Sequence, residues 1–470
     1  MRSRSYIPVA IAILGCVGAR AQTQTAQPQA PQTNPTPAPA PAPSQQNGSL
    51  RSQTANSLAA HATGPTLTLK EAEDLALKKN PQITIGKLQA LVSQQNVRES
   101  RSALLPNAFL SVTAADAHAG SRISAGALNN PIIFPRAAAG VTVSQLITDF
   151  GRSNNLLASS EYQAKAQDML AQATSAQIVL AVDQAFFNAL ETKALVTVAQ
   201  ETVTTRQTFV DKIQALTNAK LKSDIDLSFA NVDLARGRLL LLEAINNYEA
   251  SLNSLSAILG YQDQQDFQPV EEIKETTPPA PDVTSLVMLA LQQRPEVQAL
   301  TDQVTAAEKL ASAEHDLKRP TISALAAAGI TPVRSGQPLT NWYGAAGVNI
   351  NVPLFTGFMF DARAKAADLQ TEANRQRLSD LRNNIARDVR NAWHDTNRAY
   401  ERLSVTQQLR QQANLAFDLA QSRYTLGLSS IVEFSQAALQ KTEADIEGTD
   451  AQYQYRLTQI VLAFTMAGPK

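Results

Sequence analysis

From Asp361 to Leu426 the chain runs 66 residues without a glycine or a proline, and no other feature limits the fold as much. Small or apolar side chains recur along it at steps of four and three, at Ile385, Val389, Ala392, Thr396, Ala399 and Leu403. That is the spacing of a coiled-coil seam. At about 1.5 Å per residue such a helix is on the order of 100 Å long, several times what an ordinary domain core uses. Gly427, with Ser429 and Ser430 behind it, is where the chain stops, reverses and starts a second helix. Glycine takes the left-handed conformation that ends helices, and serine caps their beginnings. The expected unit is a long helical hairpin with a small polar tip.

Composition fits an extended helical protein: 44% of residues are hydrophobic but only 5% aromatic, too few rings for one large compact core. The formal net charge is zero, so no basic field exists for nucleic acid and no such partner is expected. Residues 1–21 read as a secretory signal peptide. Arg2 and Arg4 precede an apolar run from Ile7 to Val17, too short to span a bilayer, and Ala19-Arg20-Ala21 is a small-x-small cleavage site. The alternative reads Ile13-Leu14-Gly15-Cys16 as a lipobox that lipidates Cys16, the single cysteine. Residues 22–65 are rich in Pro, Gln and Ala and are expected to form a disordered or polyproline-like spacer.

The rest of the chain is one unit used twice. Leu69 to Pro81 is matched by Val283 to Pro295, 214 residues later, and the same offset sets Pro106 on Pro320. Further on the offset is 207, pairing Val182, Ala185 and Phe186 with Val389, Ala392 and Trp393. The expected repeats are residues 66–259 and 282–468, with a connector at 260–281. In each, a short amphipathic segment and a helix of about 24 residues lead to a proline, and the pattern then switches to period two. Leu110, Val112 and Ala114 alternate with Ser111 and Thr113; Val141 and Val143 with Thr142 and Ser144; Val348, Ile350 and Val352 with Asn349 and Asn351. Strands are predicted at about 106–118, 140–149, 320–331 and 343–355.

The commoner fate of such strands is a half-buried sheet packed on helices. Here the helices extend away, which leaves lipid to cover the apolar face, and lipid admits β structure only as a closed barrel. Four strands cannot close one, whereas three chains supply twelve. Trp342 and Tyr343, at the loop end of a strand, are candidate interfacial anchors. Arg152 to Thr217 repeats the 66-residue run, and the returning arms are shorter by the length of the helix before each strand pair. Stacking that helix on the returning arm would give four full-length staves per chain. The predicted fold is mainly α with a β-barrel portion: internally duplicated helical hairpins forming an α-barrel, and four strands per chain forming a twelve-stranded trimeric transmembrane barrel.

At this point the sequence resembles the TolC-like outer-membrane factors of tripartite efflux and type I secretion systems. The residues that carry the resemblance are Leu67-Thr68-Leu69-Lys70-Glu71-Ala72 through Asn80-Pro81, Arg294-Pro295-Glu296, Val352-Pro353-Leu354-Phe355-Thr356-Gly357, and Arg423-Tyr424-Thr425-Leu426-Gly427-Leu428-Ser429-Ser430. It covers the chain from about Thr66 to Gly468. The resemblance implies a homotrimer in the outer membrane of a Gram-negative-type bacterium, in contact with outer-membrane lipid and extending into the periplasm. It implies docking to a periplasmic adaptor (membrane fusion) protein and, through it, to an inner-membrane pump. By position it implies an adaptor-docking tip at Gly427, Leu428 and Ser429, with Lys220, Leu221, Lys222 and Ser223 at the first-copy turn. It also implies a periplasmic gate at Tyr424 and Glu433, with Asp224 and Asp226 after the first turn. The chain departs from the family pattern at Ser429, where some members carry arginine, at Gln436, which falls on a second acidic position, and at a first-copy turn without glycine.

Enzymatic readings have no support: His61, His118, His315 and His394 are scattered without ligand spacing, and no Gly-rich phosphate loop is present, so no cofactor or metal is expected. The competing readings are a trimeric coiled-coil surface adhesin and a soluble periplasmic coiled-coil scaffold.

Overall fold

The computed structural model describes residues 64–115, 136–271, 277–333 and 341–467. The expected signal peptide with Cys16, the spacer up to residue 63 and the strand end at 116–118 lie outside the described residues. In chain order the elements are β1 (Thr66–Leu67), α1 (Leu69–Lys79), α2 (Pro81–Ser102), β2 (Asn107–Ala115), β3 (Arg136–Thr148), α3 (Arg152–Asn218) and α4 (Asp224–Ile258). They continue with β4 (Gln268–Pro269), α5 (Val283–Gln293), α6 (Pro295–His315), β5 (Thr321–Val333), β6 (Trp342–Asn351), α7 (Met359–Thr425) and α8 (Ile431–Ala467). A 3-10 turn, Asp316–Lys318, joins α6 to β5.

The outgoing arms α3 and α7 are each 67 residues long, and the returning arms α4 and α8 have 35 and 37. The short helix before each strand pair, 22 residues in α2 and 21 in α6, makes up about two thirds of the difference. Asn80 Nδ2 donates to the Ile258 carbonyl at 2.7 Å and Lys79 Nζ to the Tyr261 hydroxyl at 2.9 Å, which seats the start of α2 on the end of α4. Gly260 makes this joint possible: its φ is +89°, and a Cβ there would come within 2.8 Å of the Lys79 carbonyl. At the corresponding joint of the second copy, the Arg294 guanidinium lies 5.7 Å from the Phe464 ring centre. The helix before each joint is started by a side chain that accepts from backbone N–H groups. Thr68 does so in a capping box with Glu71, and Asp282 accepts from Thr284 and Ser285.

The seam along α7 faces inward as its period requires. Ile385, Val389, Ala392, Thr396 and Ala399 are buried and Leu403 is half-buried. Thr396, its one polar member among the buried five, donates its hydroxyl to the carbonyls of Ala392 and Thr458 and so is not left unpaired. The largest core lies at mid-length, where α1, β1 and the connector close over α3 and α4 with Phe186, Tyr248, Leu252, Leu255 and Phe267 inside. β1 pairs with β4 in parallel, binding the beginning of the first repeat to the connector.

The four longer strands form one antiparallel sheet in the order β2-β3-β5-β6, so the two repeats meet at β3 and β5 and, among the described residues, the outer edges of β2 and β6 stay open. The helices that continue these strands stand in the same order, because α3 packs on both α2 and α6, and α6 packs on α7. Strand register puts Leu110, Val112, Val141, Val143, Ile322, Ala324, Ala326, Ile330, Val348, Ile350 and Trp342 on one face. The other carries Ser111, Thr113, Thr142, Ser144, Ser323, Asn349 and Asn351, with Phe109, Leu146 and Leu325 as its larger apolar members. No helix covers the apolar face among the described residues: Val112 is 74% and Ile350 61% exposed.

Three details differ from expectation. β6 ends at Asn351, before Val352-Pro353, because proline has no N–H to continue the ladder. β3 begins four residues earlier than expected, where Arg136 pairs with Ala115 and Ala137 with Val333. Tyr343 and Trp342 point to opposite faces, as neighbours on a strand must. Tyr343 lies on the polar face across Gly140 and Gly329, whose missing side chains make room for its ring, so only Trp342 is on the apolar side.

Candidate functional site

Both hairpins turn with one hydrogen-bond pattern. In the first, Leu221 N–H donates to the Leu216 carbonyl at 2.9 Å and Lys220 N–H to Thr217 at 2.8 Å. In the second, Leu428 N–H donates to Arg423 at 2.8 Å and Gly427 N–H to Tyr424 at 3.1 Å. These are Schellman endings, which need one left-handed residue. Gly427 supplies it with φ +73°, and Lys220 supplies it in the first turn with φ +58°, at a cost of about 1–2 kcal/mol for a side-chain-bearing residue. The absent glycine therefore alters the energy of the turn and leaves its geometry intact.

After each turn a serine starts the returning helix. Ser223 Oγ accepts from Ile225 N–H and Ser430 Oγ from Glu433 N–H, both at 3.3 Å. Ser429 Oγ is buried without a hydrogen bond, so Ser430 is the cap. Asp224 and Asp226 fall in the first turn of α4 and Glu433 in that of α8, where the exposed N–H groups favour negative charge. At the outermost point Leu221 is 70% and Leu428 66% exposed, and Lys220 and Gly427 are exposed beside them.

Just behind the turns the two hairpins are clasped by one buried cluster. Tyr424, 3% exposed, sits among Val210 and Ile213 of α3, Leu234 of α4, Phe417 of α7, and Ile431 and Phe434 of α8. Phe209 stacks on Phe434 with ring centres 4.0 Å apart and lies 5.7 Å from Tyr424. Lys222, at the first-copy turn, does not project from the tip but places Nζ 4.1 Å over the Tyr424 ring, a cation–π contact between repeats. Burial, reinforced by the neighbouring Asp226 carboxylate, pushes the Tyr424 hydroxyl up to about 12. That hydroxyl closes no hydrogen bond of ordinary geometry, so packing holds the residue in place. Glu433 takes a different partner, Arg423 at 3.5 Å, although it is the counterpart of Asp226.

The structure thus brings Tyr424, Asp226 and Lys222 together, sets Glu433 on its own turn, and leaves Leu221 and Leu428 outward. Sequence reading missed Phe209, Phe417 and Phe434; Phe209 meets Tyr424 and Phe434 across more than 200 positions, and Phe417 meets Phe434 within its own hairpin. Arg423 stood in the quoted turn motif without a role. What the arrangement can do is mechanical and electrostatic: hold two hairpin ends together, present apolar contacts, and set carboxylates beside them.

A second polar cluster lies at mid-length. Arg402 pairs with Asp450 at 2.8 Å, Arg456 with Glu271 at 3.1 Å, and the Tyr453 hydroxyl donates to Glu271 at 3.3 Å. Glu191 faces Asp450, and burial, that negative charge and a shared hydrogen bond raise its pKa to about 7. The folded chain then holds a proton that the unfolded chain has released. The stabilisation is complete below the ordinary carboxylate range and is lost as pH rises through about 7. Wild type is expected to lose on the order of 1 kcal/mol between pH 5 and pH 8 relative to Glu191→Gln, after allowance for solvent screening. Denaturation in detergent at the two pH values checks this; parallel losses in both proteins would contradict it.

Comparison with known proteins gives one answer. Residues 73–261 and 286–468 match the family described as outer membrane efflux protein, one stretch in each repeat. The outer membrane protein TolC of Salmonella enteritidis is 22% identical over 425 residues, which cover 85% of this chain and 83% of that one. Among solved structures, CusC superposes with a TM-score of 0.74 at 17% identity, covering 85% of this chain and 92% of its own. The Campylobacter jejuni CmeC outer membrane channel follows at 0.73 and 18%, covering 85% of each chain.

Proposed function

The chain belongs to the outer membrane efflux protein family, and from that premise we propose that it is the exit duct of a tripartite efflux or type I secretion system. In this reading three copies join edge to edge through β2 and β6, closing a twelve-stranded barrel with its apolar face in outer-membrane lipid and its polar face on the lumen. The staves α2 with α4, α3, α6 with α8, and α7 carry the same ring into the periplasm. The conduit is passive. A periplasmic adaptor docks on the tips, and an inner-membrane pump supplies energy and selectivity. The observation that carries this reading is the uncovered apolar sheet face with two open edges, continued by helices in the same order.

At the tip, Lys220, Leu221, Ser223, Gly427, Leu428 and Ser429 form the adaptor contact. Tyr424, with Lys222 on its ring, is the clasp that keeps the mouth shut, and Asp224, Asp226 and Glu433 supply its negative charge. Leu428 is the sharpest test, since an apolar side chain exposed on a polar turn contributes nothing to its own fold. Leu428→Asp is expected to leave outer-membrane yield and oligomer unchanged while reducing efflux and adaptor cross-linking at least tenfold, in the range seen for loss of an interface anchor. Unaltered export by this variant would put docking elsewhere.

A further inference from the structure

The sheet face assigned to the lumen is not uniformly polar. Its side chains stand in levels two residues apart, about 6.7 Å along a strand, and strand register fixes what each level holds. From the helix end outward, four successive levels carry one large apolar side chain apiece. They are Leu146 beside Ser323, Leu325 beside Ser144, Phe109 beside Thr142, and Tyr343 beside Gly329. Every other position in these levels is Asn, Ser, Thr, Gly or Ala, so none is charged. Phe109 is 64% and Leu325 52% exposed. β5 is paired on both sides, so no strand of a neighbouring copy comes next to Leu325. Tyr343 reaches from β6 across β5 to β3. A Cβ at Gly329 or at Gly140 would strike its ring or hydroxyl, so the two glycines let the ring lie along the wall. One exposed apolar side chain is ordinary. One on each of four levels in a row, over about 20 Å, is a continuous apolar track on a face otherwise fit for water.

We infer that this track is a contact site for the cargo, and that the cargo is a small amphiphilic organic molecule bearing an aromatic or other apolar ring, not a bare ion. The inference rests on the proposed conduit with this face on its lumen. Pores that select ions by their walls use rings of charged side chains, and these four levels have none. Sites for organic molecules combine apolar and aromatic surface with a few hydrogen-bonding groups. Phe109 and Tyr343 offer ring faces for stacking, Leu146 and Leu325 offer apolar contact, and Thr142 and Ser144 stand beside them as donors and acceptors. Apolar groups one level apart let a ring gain the next contact as it leaves the last, so passage never returns its whole apolar surface to water. Several weak contacts in series also let the molecule leave, as a conduit requires. The pump still selects what enters, and the wall is matched to it.

The test uses full-length protein in washed outer membranes and a membrane-impermeant thiol reagent, a methanethiosulfonate carrying a sulfonate. Cys16 is the single native cysteine, and wild type measures its share of the labelling. Thr142→Cys, beside Phe109 in the track, is expected to react at least tenfold faster than Val141→Cys on the opposite face. The cargo probe is N-acetyl-tryptophanamide, which is neutral and carries an aromatic ring with two amides; N-acetyl-glycinamide has the same amides and no ring. At millimolar concentration the tryptophan compound is expected to slow the reaction of Thr142→Cys at least twofold, and the glycine compound to leave it unchanged. That protection is expected to vanish when Phe109→Ser and Tyr343→Ser are added. A Thr142→Cys that reacts no faster than Val141→Cys would overturn the lumen-facing assignment and the track with it. Fast reaction that the tryptophan compound does not slow, that the glycine compound slows equally, or that stays protected in the serine variant would overturn the track and leave the conduit standing. Because the two compounds are compared first with the track intact, the inference stays exposed to failure even if the serine variant does not assemble.

Discussion

Tyr424→Ala is expected to open the resting channel, whereas Tyr424→Phe is expected to leave it shut. The ring fills the centre of the cluster that joins both hairpins, and truncating a buried aromatic of this kind costs on the order of 3 kcal/mol. If that packing is made in the closed state and lost in the open one, the closed-to-open ratio falls about a hundredfold. The hydroxyl is a different matter. It is buried beside Asp226 and makes no hydrogen bond of ordinary geometry, so removing it deletes a poorly paired polar group and is neutral or stabilising by up to about 1 kcal/mol. Single-channel recording in planar bilayers checks both: frequent spontaneous opening for alanine, wild-type behaviour for phenylalanine. Opening in Tyr424→Phe would make a hydrogen bond of the hydroxyl, and not packing, the closing force.

That contrast marks what could and could not be read from the chain. The long arms were legible because a seam such as Ile385, Val389, Ala392, Thr396 and Ala399 is a local pattern that helix geometry alone converts into a buried stripe. The duplication was legible because Pro81 and Pro295 open the helix after the same joint in each copy. The alternation of Val348, Ile350 and Asn349, Asn351 marked the two faces of a strand before any sheet existed to hold it. The tip was legible in outline only. A glycine search finds Gly427 and passes over Lys220, because a strained residue leaves no compositional trace. Position supplied Tyr424 and Asp226, but the surroundings of Tyr424 depend on Phe209 and Lys222 arriving from the other hairpin, and such contacts have no period.

The barrel is tested by its two faces. Val112 and Val141 lie on the apolar face near mid-strand, Ser111 and Thr142 one residue away on the polar one. An arginine at the lipid-facing midplane costs about 2–4 kcal/mol, and a ring of three copies bears that cost three times, while the same residue on a water-filled lumen costs little. The decisive measurement is the amount of assembled oligomer recovered from washed outer membranes for Val112→Arg and Val141→Arg against Ser111→Arg and Thr142→Arg. The account predicts near-complete loss for the first pair and wild-type recovery for the second, with altered ion selectivity in planar bilayers. Equal recovery of all four, or loss of the polar-face pair instead, would contradict a barrel that turns this apolar face to lipid.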